Sequence, residues 1–347
     1  MTSFEQIAAG GHEQLVLCSD PGLGYRGLIA VHSTALGPAV GGTRWWTYAS
    51  ESDAITDALR LSRGMSFKNA LARLPLGGGK SVIMGRPGPV DRPAWLRAHG
   101  RFIDRLGGVY ITAEDVGTSP ADMEYIAETT RFVAGRAGVS GDPSPHTARG
   151  VFRAMQAGAR VKWGSDDLAG KTVALQGCGN VGFHLAVELA RVGARIIAAD
   201  IDPTRVAKTV KECGAVEGSF HTIHAAKADI FAPCALGAIL NDQSIPELKV
   251  GLICGGANNQ LLEPRHGRTL AERGIVYVPD YVANAGGVTF GGSIEVLKLS
   301  REATLKRVDE IYDTTLMVLD RAAAEKIPPS DAADRLAEER IRSGRPG

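Results

Sequence analysis

Apolar residues fall along this chain in two rhythms. In the first third, short β-like runs at Leu15–Cys18, Gly27–His32, Ser81–Met84 and Val109–Thr112 alternate with stretches of helical period, the mark of a mixed α/β arrangement. One helix is predicted after Ser50, where Ser50 and Asp53 have capping-box spacing and Ile55, Ala58, Leu59 and Ser62 form an inward stripe. A second begins near Asp91 and Pro93 and aligns Trp95, Leu96, His99, Phe102, Ile103 and Leu106 on one face. A third runs from Ser119 to Phe132.

The rhythm changes after Gly135–Pro145, a stretch of turn formers that reads as an inter-domain hinge. Near-continuous apolar runs then recur at Thr172–Leu175, Arg195–Ala199, Asp229–Ala232, Val250–Cys254 and Ile275–Val278, with helical segments between several of them. Strands apolar on both faces and alternating with helices predict a parallel, doubly wound sheet. A long helix is expected over Arg301–Lys326, with Leu305, Val308, Tyr312, Thr315, Leu316 and Leu319 on one side. A last helix follows with Ser330 as its N-cap, and the tail Ser343–Gly347 reads as frayed. The expected organisation is α/β in two domains, 1–138 and 139–326, with 327–347 a C-terminal helix and tail returning to the first.

Composition narrows the function classes. The 347 residues carry 39 Lys+Arg against 38 Asp+Glu, a net charge of +1, so there is no field to attract nucleic acid or an anionic membrane. No apolar run approaches the ~20 residues of a membrane span, and the N-terminus lacks the pattern of a secretory signal. Five cysteines form no C-x-x-C pair, which suits a reduced cytoplasm. The eight histidines show no metal-ligand spacing, and no G-x-S-x-G elbow is present. A small-molecule partner is favoured, with no metal.

Glycine, at 43 residues, is well above the usual ~7%, and some of it is concentrated where chemistry is expected. The strand-like Val173–Gln176 leads into Gly177-Cys178-Gly179-Asn180-Val181-Gly182 and then an amphipathic segment, which is G-x-G-x-x-G in its strand-to-helix setting. Gly177 permits the turn, Gly179 lets backbone approach a pyrophosphate, and Gly182 lets helix and strand pack closely. Asp200 closes the next strand, where an acid accepts from adenosine ribose hydroxyls and repels a 2′-phosphate. NAD is thereby favoured over NADP, although Arg205 nearby keeps the phosphorylated cofactor open. Cys178 reads as a space-filler. The small residues and asparagines of Ala232–Gly237, Gly255–Asn259 and Asn284–Gly287 follow later strands and are expected on the nicotinamide side.

The first domain supplies the ionisable groups. Lys68 follows the first long helix, Lys80 follows Gly77-Gly78-Gly79 at the start of a strand, and Asp115 sits where a strand ends. Three consecutive glycines are conformationally costly and mark a close approach of backbone to something. A lysine crowded by a second ammonium and shielded from water has its pKa lowered from ~10.4 toward the ~7–8 useful for proton transfer. Lys80 is the candidate for that role, with Lys68 remaining charged to bind a carboxylate.

At these residues the sequence resembles the amino-acid dehydrogenases of the glutamate, leucine, phenylalanine and valine group, most of all their leucine-acting branch. The resemblance is carried by LGPAVGGTRWWTYASE (Leu36–Glu51), DALRLSRGMSFKNA (Asp57–Ala70), LGGGKSVI (Leu76–Ile83) and YITAEDVGT (Tyr110–Thr118). It continues through GDPSPHTARGVFRAM, QGCGNVG, DIFAPCALG, GGANNQL, PDYVANAGGV and DAADRLAEERI. It implies an N-terminal domain for substrate binding and oligomerisation and a C-terminal Rossmann domain for NAD, which close over the substrate. The implied reaction is reversible oxidative deamination of an L-amino acid to its 2-oxo acid and ammonia. Lys80 and Asp115 would be catalytic, and Lys68, Gly41, Gly42, Met65 and Asn284 would hold the substrate. Gly177, Gly179, Asn180, Val181, Gly182, Asp200, Cys234, Ala235, Ala257, Asn259 and Thr147 would hold the cofactor. Val40, Ala113 and the stretch after Gly287 offer an apolar side-chain pocket, so a branched-chain substrate, leucine first, is expected. The alternatives are an aromatic substrate (phenylalanine or tryptophan), or an NAD-binding sensor without turnover. The run Thr289–Leu297 departs from the leucine members by an extra residue and added glycines. The family's habit implies a homo-oligomer.

Overall fold

The computed structural model describes residues 2–86, 91–139 and 141–344; Ser140 of the expected hinge and the last three residues of the expected tail lie outside them. The chain divides into two compact units, Met1–Gly141 with Gly291–Leu299 and Ala337–Gly347, and Asp142–Phe290 with Ser300–Leu336. This division leaves the first unit at Gly141 rather than at 138, and it gives that unit two later segments of the chain.

The first unit opens with α1 (Ser3–Gly10), β1 (Gln14–Asp20), β2 (Tyr25–Ser33), β3 (Ala39–Trp46) and α2 (Glu51–Leu71). It continues with β4 (Gly77–Met84), α3 (Arg92–Asp104), β5 (Tyr110–Glu114) and α4 (Pro120–Ala127). Its sheet has the order β1-β2-β4-β3-β5, antiparallel at β1–β2 and β2–β4 and parallel where β3 meets β4 and β5. Helix α2 is capped as expected, Ser50 Oγ accepting from the Asp53 N–H at 3.1 Å. The Asp53 carboxylate takes the Ser50 hydroxyl rather than its backbone N–H. Ile55, Ala58, Leu59 and Ser62 are all buried, and the first three cover Leu28, Ala30 and Val82 on one face of the sheet. On the other face α3 buries Trp95, Leu96 and Ile103 against Tyr25, Ile29, Trp45, Ile83 and Tyr110.

Two strand expectations change here. β3 has no counterpart in the sequence reading, because its paired glycines interrupt the alternation. β4 starts at Gly77 rather than Ser81, so the triple glycine lies inside the strand. The neighbours explain it: a Cβ on Gly77 would stand 2.0 Å from the Ser33 carbonyl oxygen, on Gly78 2.0 Å from the Ser66 nitrogen, and on Gly79 2.6 Å from the Tyr110 ring. The close approach is thus to α2 and neighbouring strands. The helix expected over Ser119–Phe132 ends at Ala127.

The second unit contains α5 (Ser144–Trp163), β6 (Thr172–Gln176), α6 (Asn180–Arg191), β7 (Arg195–Ala199), α7 (Pro203–Cys213), β8 (Val216–Glu217) and β9 (Ile230–Pro233). It goes on with α8 (Ser244–Glu247), β10 (Leu252–Ile253), α9 (Arg265–Glu272), β11 (Val276–Tyr277), α10 (Asp280–Ala283), α12 (Arg301–Asp309) and α13 (Ile311–Glu325). Two further helices, α11 (Gly286–Gly291) and α14 (Pro329–Ser343), cross the division between units. The sheet order β11-β10-β9-β6-β7-β8 is parallel throughout. Read from β6 this is the 3-2-1-4-5-6 order of a Rossmann fold, with its switch point between β6 and β9.

The long C-terminal helix is two helices separated at Glu310, with Val308, Thr315 and Leu319 buried and Leu305, Tyr312 and Leu316 half-buried. Ser330 is not an N-cap: α14 starts at Pro329, so Ser330 lies in its first turn. After α11 the chain forms a π-turn over Gly292–Val296, the Leu297 N–H reaching back to the Gly292 carbonyl at 2.9 Å. A π-turn takes up one more residue than an α-helical turn, and this one lies within the run Thr289–Leu297. The buried Glu295 carboxylate accepts from the Gly135 N–H at 2.9 Å and fastens this turn to the first unit. No helix among the described residues is long and apolar enough to cross a membrane.

Candidate active site

In the first unit, alternation along β4 aims Lys80 at the same face of the sheet as Val82, and the side chain is 4% exposed. Its Nζ stands 3.0 Å from Asp115 Oδ2, just beyond the end of β5. The same carboxylate oxygen accepts from Arg44 Nε at 2.8 Å. Arg44 Nη1 in turn donates to Asp57 Oδ2 at 2.9 Å, and the Tyr48 hydroxyl donates to that oxygen at 2.8 Å. The backbone around Asp115 is fixed by Thr118, whose Oγ1 accepts from the Asp115 N–H at 2.9 Å and donates to the Thr43 carbonyl at 2.8 Å.

Burial is the largest influence on Lys80 and lowers its pKa; Asp115 opposes this, and Arg44 adds to the lowering. Burial pushes Asp115 upward, but Lys80 and Arg44 outweigh it and hold the carboxyl below its ordinary range. The result is an ammonium that releases its proton more readily than a surface lysine, beside a carboxylate that stays ionised.

Gly42 adjoins this pair, since a Cβ there would meet Asp115 Cβ at 2.8 Å. A Cβ on Gly41 would stand 1.8 Å from the Gly79 carbonyl oxygen and 3.2 Å from Met65 Cγ, which brings Gly41 and Met65 together. Ala113 pairs with Gly42 across the β3–β5 ladder. Val40 is buried with Leu74 and Leu76, and Ala72, Ile111, Val296 and Leu297 pack against them. Lys68 lies in the last turn of α2, not after the helix, and one turn beyond Met65.

In the second unit the candidate residues gather at the carboxyl ends of the strands. Gly177 has φ +95, and a Cβ there would collide with Cys234 and Ala235 at 2.8 Å. A Cβ on Gly182 would lie 1.9 Å from the Gly177 carbonyl oxygen, so helix and loop touch at backbone distance. Asn180 and Val181 open α6, whose N-cap Gly179 offers no side-chain bond. The N–H groups of that first turn therefore remain available to an anion. Asp200 closes β7, its two oxygens accepting from the Cys178 N–H at 2.6 Å and the Asp202 N–H at 2.9 Å.

Later loops converge on the same edge. The Ala257 N–H donates to the Pro233 carbonyl at 2.9 Å, and Cys234 Sγ accepts from the Gly256 N–H at 3.3 Å. Burial pushes the Cys234 thiol up to about 12 and raises that of Cys178, so neither favours the reactive thiolate. Asn259, at φ +53, donates its N–H to Asp280 Oδ2 at 2.8 Å. Asn284 Nδ2 donates to Asn258 Oδ1 at 2.8 Å and the Gly256 carbonyl at 3.2 Å, which leaves its buried Oδ1 without a partner among the described residues. Thr147 sits at the start of α5, bonded to the Pro143 carbonyl at 3.1 Å. An anion-accepting helix start, an acid at the end of the second strand and a backbone-only turn are the features a dinucleotide requires.

The family model described as Glu/Leu/Phe/Val dehydrogenase, dimerisation domain, matches residues 12–132, and the Glutamate/Leucine/Phenylalanine/Valine dehydrogenase model matches residues 200–343. A leucine dehydrogenase of Geobacillus stearothermophilus is 51% identical over 99% of this chain and 95% of its own. This chain belongs to the Glu/Leu/Phe/Val dehydrogenase family. A valine dehydrogenase of Streptomyces coelicolor is 46% identical over 97% of this chain and 94% of its own. The crystal structure of L-tryptophan dehydrogenase from Nostoc punctiforme superposes with a TM-score of 0.89 at 41% identity, covering 98% of each chain. The protein is an amino-acid dehydrogenase, and its family works with a nicotinamide cofactor.

For this dehydrogenase, sequence reasoning missed Arg44. The signal was present: had Ala39–Trp46 been read as a strand, alternation would have put Arg44 on the same face as Gly42. The cation that joins burial in lowering Lys80 is thus Arg44, where a second ammonium was expected. Among the described residues no group of three or more His, Cys, Asp or Glu side chains could hold a metal ion.

Proposed function

We propose that this chain catalyses the NAD-dependent, reversible oxidative deamination of an apolar L-amino acid, leucine and its branched-chain relatives first, to the 2-oxo acid and ammonia. The observation that carries the reading is the buried Lys80–Asp115 pair, tuned by Arg44. Lys68 and the Gly41–Gly42 backbone bind the substrate carboxylate, Met65 lies against them, and Asn284 orients the substrate. Gly177, Gly179, Asn180, Val181, Gly182, Asp200, Cys234, Ala235, Ala257, Asn259 and Thr147 hold the cofactor, whose nicotinamide when bound accepts the hydride from Cα. Lys80, as the neutral amine, takes the proton of the water that adds to the substrate iminium. Asp115 relays that proton from the Lys80 ammonium to the carbinolamine nitrogen, and Lys80, neutral again, takes the hydroxyl proton as the carbinolamine collapses to ammonia and the 2-oxo acid.

The apolar surroundings of Val40, with Leu74, Leu76 and Ile111, favour an aliphatic substrate over a charged one. The likeness to a tryptophan dehydrogenase keeps an aromatic substrate as the second reading. Asp200 favours NAD, the dimerisation-domain match supports a homo-oligomer, and five unpaired cysteines suit the cytoplasm.

The test follows the absorbance of the reduced cofactor at alkaline pH, with NAD and a panel of L-amino acids. Turnover of leucine, valine and isoleucine above phenylalanine and tryptophan is expected. No rise with any apolar amino acid sinks the proposal, and a preference for tryptophan selects the second reading.

A further inference from the structure

The first sheet buries hydroxyl groups directly behind its reactive face. Alternation puts Thr43, Ser81, Thr112 and Tyr110 on the side opposite Lys80, where His99 of α3 and Tyr25 of β2 join them. All six side chains are fully buried. The Tyr25 hydroxyl bonds His99 Nδ1 at 2.6 Å. His99 Nε2 bonds Ser81 Oγ at 2.9 Å and Thr43 Oγ1 at 3.1 Å. Thr43 Oγ1 reaches Ser81 Oγ at 2.8 Å and Thr112 Oγ1 at 2.6 Å. Tyr110 Oη lies 3.1 Å from Ser81 Oγ and 3.3 Å from Thr112 Oγ1, and it ends the chain on the Gly41 carbonyl at 2.5 Å. A carbonyl cannot donate, so the single phenolic proton goes to Gly41.

Such a network in an otherwise apolar layer is expensive unless every member is paired, and every member here is paired. Its placement relative to the candidate site is regular. Ser81 follows Lys80, Thr43 follows Gly42, and Thr112 precedes Ala113. The β3–β4 ladder also lapses at one place: Val40 pairs with Gly78 and Thr43 with Ser81, whereas Gly41 and Gly42 have no register partner on β4. Tyr110 grips the peptide at that lapse. A peptide unit is rigid, so fixing the Gly41 carbonyl fixes the direction of the Gly42 N–H, and a bond to the carbonyl strengthens that N–H as a donor.

We propose that Tyr110 is a positioning residue for the substrate α-carboxylate, acting through the Gly41–Gly42 peptide and held in place by the buried chain from Tyr25. This rests on the reading of Gly41–Gly42 as part of the carboxylate site.

The test is Tyr110→Phe in the full-length enzyme. KM for the amino acid should rise roughly fivefold, the scale of one hydrogen bond, with kcat within about twofold and KM for NAD unchanged. Inhibition by 4-methylpentanoate should weaken by the same factor, and inhibition by 4-methylpentan-1-ol, which lacks the carboxylate, should not change. Ser81→Ala, which removes one of the groups supporting the phenol, should show the same split at about twofold, and it decides the matter if Tyr110→Phe does not fold. A fall in kcat at unchanged KM, equal weakening of both inhibitors, or parental constants throughout would overturn the role of Tyr110. A parent enzyme that oxidises no apolar amino acid overturns the functional reading and this proposal together.

Discussion

At Lys80 burial and three neighbouring charges meet, and their signs make the pH dependence testable. Burial and Arg44 lower its pKa while Asp115 and Asp57 raise it, with a net lowering, so activity that needs the neutral amine should appear as pH rises through that lowered value. Lys80→Ala should reduce turnover by at least ~10³-fold while NAD still binds, which fluorescence titration of the cofactor can check. Arg44→Gln removes a positive charge from both partners. The pKa of Lys80 should then rise, and the acidic limb of the kcat/KM profile should move to higher pH. For Asp115 the sign is opposite in consequence: its pKa is depressed, so its contribution to stability is present above the ordinary carboxylate range and is lost as pH falls through the folded-state value. Lys80 and Asp115 stood out as candidates because the family motifs that carry them, LGGGKSVI and YITAEDVGT, are local. Arg44 did not, because its partners Asp115 and Asp57 come from two other elements.

At the scale of elements, glycine explains both the success and the failure of reading this chain. The turn after β6 and the helix that follows were evident from G-x-G-x-x-G, and Gly182 does stand against the Gly177 carbonyl. β3 and the start of β4 were not evident, since strand patterns rely on side chains that Gly41, Gly42 and Gly77–Gly79 lack. Gly78→Ala would drive a methyl group into the backbone of α2 at Ser66. Thermal unfolding should report a loss of about 2–4 kcal/mol; a loss below ~0.5 kcal/mol would show that α2 can move away. Ser50→Ala, which removes the cap of the same helix, should cost about 1 kcal/mol.

At the scale of the molecule, the chain passes between the two units at Gly141, Phe290, Leu299 and Leu336. Local pattern could suggest the first crossing, from its Gly- and Pro-rich stretch, but not the second and third, which flank a π-turn. Truncation after Leu336 removes residues that belong to the first unit, including the fully buried Ala337 and the Arg63–Glu338 pair. It should lower the melting temperature of the whole enzyme, as calorimetry can show. Light scattering should give a mass that is a multiple of the chain's.

The sequence by itself determined the α/β class and the parallel sheet of the second unit, and its family motifs named Lys80, Lys68 and Asp115 as candidates, because periodicity and short motifs are written within a few consecutive residues. The tertiary structure alone decided which charges share one carboxylate oxygen, why glycines open a strand, and how buried hydroxyls line up on the face opposite Lys80. Those outcomes depend on distances between residues far apart in the chain, and only packing sets such distances.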